Sequence, residues 1–294
     1  MKNTEFSTLP VGGVPGGEAF LVSFERHTFL IECGFSFSAD ALVDRLRAAL
    51  GGRRLDFVLL THSHYDHVGG LPAVKEAFPE ALVCASEAAA QIFAKESARA
   101  LMREMNASAA AYTGMPEGPD RTAGLRVDRV LADGDVIESD GLHVKAIATP
   151  GHTRCCMSYH FEEADLLVAS ESSGIPFGDT YRASFISSYR QALSSIDRLA
   201  ALTPRHVLTP HHGMLTGMQA TEFPERARRA AEDTAAFVLS LARAGMPEDD
   251  LYEAYKERYY DGLIKASGLQ PEKAFIVNAH ASIPRLLREL LPEA

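Results

Sequence analysis

The sequence predicts a mixed α/β fold followed by an all-helical C-terminal segment, and three observations indicate this. Short apolar runs of strand length alternate with helical stretches up to about residue 217, which is typical of layered α/β proteins. Residues that can bind metal ions stand directly after several of these apolar runs. After Gly217 only helical stretches follow, so we expect a domain of residues 1–217 and a helical extension of residues 218–294.

The predicted strands are short apolar runs bounded by turn residues. They cover residues 19–24, 28–32, 57–60, 81–85, 127–131, 142–148, 157–161, 166–169 and 206–209. Helices are predicted between them at residues 38–50, 87–106 and 187–201, the first with Ser38 as N-cap and Gly51 as a stop signal. In the extension, helices are predicted at residues 222–244, 248–259 and 272–291.

The composition disfavours several classes of function. The chain has 294 residues, with 39 acidic and 29 basic side chains and a formal net charge of −10. This balance disfavours a nucleic-acid partner and docking on an anionic membrane. No apolar run approaches the ~18 residues of a membrane span, and no apolar signal segment is evident. The four cysteines have no Cys-x-x-Cys spacing, so we expect a cytoplasmic protein with reduced thiols.

The strongest chemical signal follows the strand predicted at residues 57–60. There the sequence reads His62-x-His64-x-Asp66-His67. Imidazole suits zinc, iron and manganese, and a carboxylate adds a harder ligand. In a loop, His62 and His64 can converge on one ion while Asp66 and His67 turn toward a second.

Further ligands are expected at other strand ends, where loops meet at a site. His152 lies in a Pro-Gly-His-Thr turn, and Glu171 follows the run at residues 166–169. In Thr-Pro-His-His-Gly, two adjacent histidines compete for one role. We expect His212 to be the ligand and His211 to be a packed or supporting histidine.

With these motifs the sequence resembles the metallo-β-lactamase superfamily, whose fold is an αββα sandwich with a dinuclear metal site at one sheet edge. The resemblance implies two divalent ions, zinc or else iron or manganese. It implies His62, His64 and His152 as ligands of the first ion. It implies Asp66, His67 and His212 as ligands of the second.

In two places the sequence departs from the usual pattern of the superfamily. The bridging aspartate falls on Glu171, which is one methylene longer and is expected either to bridge the ions or to bind one of them. Glu32 stands where most members have a supporting aspartate. Glu32, the stretch around residues 58–106 and the C-terminal helices make the chain similar to one type within the superfamily. This is the quinolone-signal response type, also described as the 2-aminobenzoylacetyl-CoA thioesterase type.

The predicted function is hydrolysis by a metal-bound hydroxide that attacks a carbonyl, with Asp66 as the catalytic residue that orients the water. A thiol with a pKa of ~8.5 leaves as a thiolate without full protonation, whereas an amine needs a proton donor. The predicted substrate is therefore a small-molecule thioester of the acyl- or aryl-CoA type. The alternatives are an iron-dependent oxygenase or sulfur dioxygenase, or a metal-bearing module for protein interaction.

Two residues are predicted to contact the substrate. Tyr65 lies inside the metal motif and is expected to shape the rim of the pocket. His280 lies on the last predicted helix, and the helical extension is expected to wall the pocket. The alternative role for these helices is the interface of a homodimer.

Overall fold

Two six-stranded β-sheets form the centre of the computed structural model, which describes residues 4–178, 180–268 and 270–291. In spatial order the first sheet contains β1 (Ser7–Pro10), β2 (Phe20–Ser23), β3 (Thr28–Ile31), β4 (Phe57–Leu59), β5 (Leu82–Ser86) and β6 (Arg129–Leu131). Strands β3 to β6 are parallel, and β1 and β2 extend the sheet as an antiparallel pair.

The second sheet is mostly antiparallel. Its strands are β7 (Val136–Ser139), β8 (Leu142–Ala148), β9 (Met157–Phe161), β10 (Leu166–Val168), β13 (His206–Thr209) and β14 (Gly213–Thr216), with β7 and β14 at the two edges. Only β10 and β13 pair in parallel. A separate hairpin is formed by β11 (Ile175–Phe177) and β12 (Thr180–Arg182).

Helices cover the outer faces of both sheets. Those before residue 218 are α1 (Ala39–Leu50), α2 (Tyr65–Val68), α3 (Leu71–Ala77), α4 (Glu87–Phe93), α5 (Glu96–Thr113) and α6 (Tyr189–Ala200). The C-terminal ones are α7 (Met218–Arg243), α8 (Glu248–Lys256), a π-helical segment (Glu257–Ile264) and α9 (Glu272–Leu290). The helix predicted at residues 87–106 is instead two helices, because Lys95 has an extended backbone.

Buried apolar clusters hold the layers together. Between the sheets, Phe29, Leu59 and Phe161 belong to one core. Leu42 and Leu46 of α1 pack on the outer face of the first sheet, and Ile196 of α6 packs on the outer face of the second. The order of the layers is therefore α-β-β-α, which confirms the predicted fold class. The division at residue 217 remains a prediction, since Phe223 of α7 also packs on the second sheet.

The C-terminal helices also have a core of their own. It includes Val238, Leu251, Phe275 and Ile283, and it meets α6 through Tyr189. No helix within the described residues is both long enough and apolar enough to cross a membrane.

The topology brings several strand ends to one edge of the sandwich. Strand β4 lies in the first sheet, and β8, β10 and β13 run in a common direction in the second. The segments that follow these four strands carry the metal-competent residues, so all the predicted ligands except His212 meet at this edge.

Candidate metal centre

His62, His64 and His152 form the first group of candidate ligands. Their ligand atoms all lie within 4.8 Å of one another, and His64 Nδ1 is 3.0 Å from His152 Nε2. The group joins the two sheets, because His62 and His64 follow β4 whereas His152 follows β8. The structure thus brings together all three residues that were predicted for the first ion.

A glycine lets the His152 turn pack closely against α6. Gly151 has a φ of +142°, and a Cβ added there would lie 2.5 Å from the Cα of Ala192. The backbone of Gly151 also accepts hydrogen bonds from the amides of Ser187 and Ser188. No other residue type fits this turn without moving α6, so Gly151 fixes the position of His152.

Hydrogen bonds behind the rings orient the nitrogens that face the site. His152 Nδ1 is 2.7 Å from Ser184 Oγ, and His62 Nδ1 is 3.0 Å from Thr61 Oγ1. These contacts leave the Nε2 atoms directed at the group. His62 Nε2 is buried without a hydrogen-bond partner among the described residues. A buried nitrogen of this kind is unfavourable unless a ligand satisfies it, and a metal ion would do so.

The protonation states in the first group suit metal binding, which requires neutral imidazole. Burial, followed by the charges of neighbouring histidines, lowers the pKa of His62 well below its ordinary value. Burial also lowers the pKa of His152 to about 3, although Glu171 opposes this. Both rings are therefore neutral across the physiological range.

Asp66, His67, Glu171 and His211 form the second group, again with ligand atoms within 4.8 Å of one another. Asp66 and His67 lie on α2 directly after the first two histidines. Asp66 Oδ2 is 3.6 Å from His67 Nε2 and 3.7 Å from His211 Nε2. Three separate segments of the chain thus contribute to this group.

His211 and not His212 lies in this group, so the geometry favours His211 where the sequence predicted His212. The two residues lie in the tight turn between β13 and β14, where His211 adopts a left-handed φ of +59°. Its ring enters the site between Glu18 and Glu171, at 2.8 Å from Glu18 Oε2 and 3.0 Å from Glu171 Oε1. His212 contributes no atom to either group within the described residues.

Glu171 lies between the two groups. Its Oε1 is 2.8 Å from His67 Nε2, and its Oε2 is 3.5 Å from His152 Nε2. Burial alone would raise the pKa of Glu171, but the nearby histidines outweigh it and lower the pKa well below its ordinary value. An ionised carboxylate between two sets of imidazoles agrees with the expected bridging position, and ligation itself remains a prediction.

Two further glutamates support the histidines of the second group. Glu18 accepts a hydrogen bond from His211 Nδ1, and Glu32 Oε1 is 3.3 Å from His67 Nδ1. Glu32 has a left-handed φ of +62° and also accepts hydrogen bonds from the amide and hydroxyl of Thr61. Sequence reasoning missed Glu18, because its contact with His211 joins residues that are 193 positions apart.

These carboxylates raise the pKa values of both histidines. Burial alone would lower the pKa of His67, but Asp66 and Glu32 raise it well above its ordinary value. For His211, burial is outweighed by Glu171 and Glu18, which raise the pKa to about 9. Without an ion, His211 is therefore protonated at neutral pH.

A cavity of about 230 Å³, the metal cavity, opens onto both groups. His64, Asp66, His152, Glu171 and His211 line part of it. Most of the remaining wall is apolar and includes Phe35, Ile92, Met102, Met105, Ile175 and Phe177. The C-terminal part of the chain contributes Ile264, Gln270, Ala274, Val277 and Asn278.

The two predicted substrate contacts lie in different places. Tyr65 lines the metal cavity, and its contact with a substrate remains a prediction. His280 does not line it; its exposed ring stacks on Tyr252 at 4.0 Å between centroids. Residues two positions apart on a helix differ by about 200° in direction, so Asn278 faces the cavity and His280 faces away.

The family model described as "Metallo-beta-lactamase superfamily" matches residues 12–211 of the chain. Among curated proteins, a hydroxyacylglutathione hydrolase of Aeromonas salmonicida is 25% identical over 249 residues, covering 82% of this chain and 79% of the relative. A hydroxyacylglutathione hydrolase of Acidiphilium cryptum is 30% identical over 207 residues, covering 70% and 67%.

Solved structures show the same fold. A metallo-beta-lactamase family protein of Thermus thermophilus matches with a TM-score of 0.63 and 20% identity, covering 97% of this chain and 93% of that one. A B3 metallo-beta-lactamase described as having an active-site glutamic acid matches with a TM-score of 0.53 and 24% identity, covering 79% and 88%. The resemblance to the quinolone-signal response type remains a prediction.

Proposed function

Because this chain belongs to the metallo-β-lactamase superfamily, we propose that it is a metal-dependent hydrolase that cleaves a thioester. One observation carries the proposal: the two ligand groups line a cavity whose other walls are mostly apolar. An acyl or aryl group in this cavity would lie beside the ions. The relatives named as hydroxyacylglutathione hydrolases support the same chemistry, since a hydroxyacylglutathione is a thioester.

The donor set fits two divalent ions such as zinc, or iron or manganese, because it combines five imidazoles with two carboxylates. When bound, such ions lower the pKa of water to roughly 7 and polarise a carbonyl oxygen. His62, His64 and His152 would hold the first ion. Asp66, His67 and His211 would hold the second, with Glu171 bridging or binding one of the two.

Asp66 is the proposed catalytic carboxylate. Its side chain lines the metal cavity and is 19% exposed, whereas that of Glu171 is 4% exposed. Asp66 therefore reaches substrate and water more readily than the other carboxylate of the group. It would orient the attacking water by accepting its hydrogen bond and would take up its proton.

The environment of Tyr65 supports a thiol rather than an amine as the leaving group. Burial, reinforced by Asp66 and Glu171, raises the pKa of its phenol. Tyr65 can therefore donate a hydrogen bond to a substrate but is a poor source of a proton for a departing amine. A thiolate leaves without full protonation because the thiol pKa is ~8.5, so thioesters fit this site better than amides.

The C-terminal segment of residues 218–294 is proposed to select the acyl group. Ala274 and Val277 of α9 line the metal cavity opposite residues of α5 such as Met102. Phe35 and Phe177 add aromatic surface, which supports an acyl or aryl group of medium size. The competing role for these helices is a homodimer interface.

The test is a hydrolysis panel on protein whose metal content has been measured after purification without added metal. The same acyl group is supplied as a CoA thioester, a glutathione thioester, an oxygen ester and an amide. We expect the thioesters to be cleaved fastest, with the activity lost in Asp66→Asn and retained in the exposed control Asp44→Asn. Preferential cleavage of the amide would overturn the proposal.

The two alternatives predict different results in the same preparation. An iron oxygenase or sulfur dioxygenase would consume oxygen when iron is loaded anaerobically and a thiol substrate is then added with air. A protein-interaction module would keep its cellular role in His64→Ala, which removes a candidate ligand. Thioester hydrolysis without oxygen consumption favours the hydrolase over both.

A further inference from the structure

A cationic side chain, Arg182, lines the otherwise mostly apolar metal cavity. It lies at the end of β12, and its side chain is 19% exposed. Its Nη1 donates a hydrogen bond of 2.6 Å to Gln270 Oε1, and its Nη2 is 3.9 Å from Glu171 Oε2. The second distance is too long for a hydrogen bond, so part of the guanidinium fork remains available to an acceptor in the cavity.

A second, smaller cavity of about 40 Å³ adjoins the first, and we call it the polar recess. Arg182, Gln270 and Asn278 line both cavities and form the wall between them. Thr234 and Tyr259 also line the recess. Tyr259 Oη is buried and has no hydrogen-bond partner within the described part of the chain.

Within the described residues, buried polar atoms without a partner occur at His62 and His67 of the metal centre, at His160, and at Tyr259. Buried polar groups are normally satisfied. A ligand oxygen at the recess could accept a hydrogen bond from Arg182 Nη2, which makes no hydrogen bond to Glu171 at 3.9 Å, and Tyr259 lines the same recess.

We propose that Arg182 and the polar recess bind a carboxylate carried by the acyl group of the substrate, so that the preferred thioester is a monothioester of a short dicarboxylic acid. A guanidinium fork is suited to a carboxylate because it can donate two parallel hydrogen bonds. The acyl group is taken as the source because Arg182 Nη2 is 3.9 Å from Glu171 Oε2, and the guanidinium therefore lies close to where the scissile carbonyl would be held. The proximity of Arg182 to Glu171 implies a short chain. This inference rests on the proposed thioester hydrolysis.

The competing explanation is that Arg182 only anchors the segment before α9 through Gln270. Gln270→Ala removes that anchor and keeps the guanidinium, whereas Arg182→Met removes both. A purely structural role therefore predicts the same effect from the two variants. A binding role predicts that Arg182→Met reduces the response to a carboxylate more than Gln270→Ala does.

The experiment compares succinyl and butanoyl thioesters of one neutral thiol, N-acetylcysteamine, with zinc-loaded protein. We expect wild type to favour the succinyl substrate in kcat/KM. In Arg182→Met this preference should fall by about 10–100-fold, the size of a lost charged hydrogen bond. In the exposed control Arg47→Met it should stay close to wild type, and Gln270→Ala, which alters the recess but keeps the guanidinium, should reduce it less than Arg182→Met does. Arg182→Lys, which retains the charge without the fork, should lie between.

A binding measurement separates this inference from the proposed function. Succinate and butanoate are titrated into the same zinc-loaded proteins by calorimetry, with far-UV circular dichroism and zinc content as checks of folding. If no thioester is cleaved, the proposed function fails. The subsite is still supported if succinate binds more tightly than butanoate to wild type and this difference is lost in Arg182→Met. The inference is overturned if wild type shows no preference for succinate, the ligand with a second carboxylate, or if Gln270→Ala reduces this preference as much as Arg182→Met. If Arg182→Met does not fold, Arg182→Lys takes its place. A smaller preference for succinate than in wild type then supports the inference, and an unchanged preference overturns it.

Discussion

The choice between two adjacent histidines offers a sharp test of the metal centre. His211 Nε2 is 3.0 Å from Glu171 Oε1 and 3.7 Å from Asp66 Oδ2, whereas His212 lies outside the group. We therefore expect His211→Ala to remove the ion of the second group and His212→Ala to retain it. The two variants delete the same side chain from neighbouring positions, so each is the control for the other.

The magnitude follows from the role of Glu18, which binds the far side of the His211 ring at 2.8 Å. Loss of such a supporting partner typically costs ~10–100-fold in metal affinity. Loss of the ligand should exceed the upper limit, which corresponds to about 2.8 kcal/mol at roughly 1.4 kcal/mol per tenfold. We expect the metal affinity of the second site to be highest in wild type, lower in Glu18→Gln and lowest in His211→Ala.

The pH dependence provides a second check on the same residue. Burial opposes protonation of His211, but Glu171 and Glu18 outweigh it and raise its pKa to about 9. An ion that binds through Nε2 must displace this proton. The apparent affinity of the second site should therefore rise at least tenfold per pH unit below that pKa, because the pKa of His67 is also raised and its proton must be displaced as well.

The assay is competition with a chromophoric chelator between pH 6.5 and pH 9.5, followed by elemental analysis after dialysis. Equal metal loss in the two histidine variants, or loss in His212→Ala alone, would refute the assignment. If the metal affinity of wild type does not change with pH, the argument that the ion displaces a proton from His211 is refuted. The assignment of His211 as a ligand would still be tested by comparing the two histidine variants.

Three further predictions concern stability and the other ligands. Asp128→Asn should lower the free energy of unfolding by about 3 kcal/mol, because it leaves the buried Lys75 ammonium without the carboxylate that lies 2.8 Å away. Burial alone would raise the pKa of Asp128, but Lys75 outweighs burial and lowers this pKa. The stabilisation from the Lys75–Asp128 pair should therefore be present above the ordinary pKa of Asp. It should disappear as the pH falls through the lowered pKa of Asp128. Glu171→Asp should change metal stoichiometry or activity, because a side chain one methylene shorter cannot hold both oxygens where Glu171 holds them. His64→Ala should abolish metal binding at the first group.

Each of these predictions has a result that would contradict it. Urea titrations should show no comparable change for Asp44→Asn, whose carboxylate is 79% exposed; a similar loss in both would mean that burial of Lys75 is not the cause. Unaltered metal content and activity in Glu171→Asp would mean that the side chain does not act as a ligand. Full occupancy of the first site in His64→Ala would remove His64 from the ligand set.

Much of the fold could be predicted because its central strands are buried on both faces. Strands such as β4 and β10 read as short uninterrupted apolar runs, and burial requires that pattern. Strands β1 and β7 were not predicted, because their exposed edges carry mixed residues without a clear apolar run. The β11–β12 hairpin was missed for a similar reason: each of its strands has only three residues.

The candidate site could be predicted where its ligands are close together in the sequence. It was harder to predict where the backbone conformation decides the direction in which a side chain points. Two neighbouring histidines are equivalent in composition, and only the left-handed φ of His211 determines which ring enters the site. His280 was placed correctly on a helix but on the wrong face. Arg182 was not identified, because its role depends on Gln270 and on a cavity that no local pattern encodes.

The distribution of the candidate ligands between the two sheets has a consequence for the lifetime of the protein. His62, His64, Asp66 and His67 follow a strand of the first sheet, and His152, Glu171 and His211 follow strands of the second. Each ion would therefore tie the two halves of the sandwich together, and free metal at a hundred times its dissociation constant would add about 2.7 kcal/mol to stability. Proteases degrade chains mainly through their open forms. We expect the cellular abundance of this protein to follow the supply of its metal, with chelation shortening its half-life before any substrate is involved.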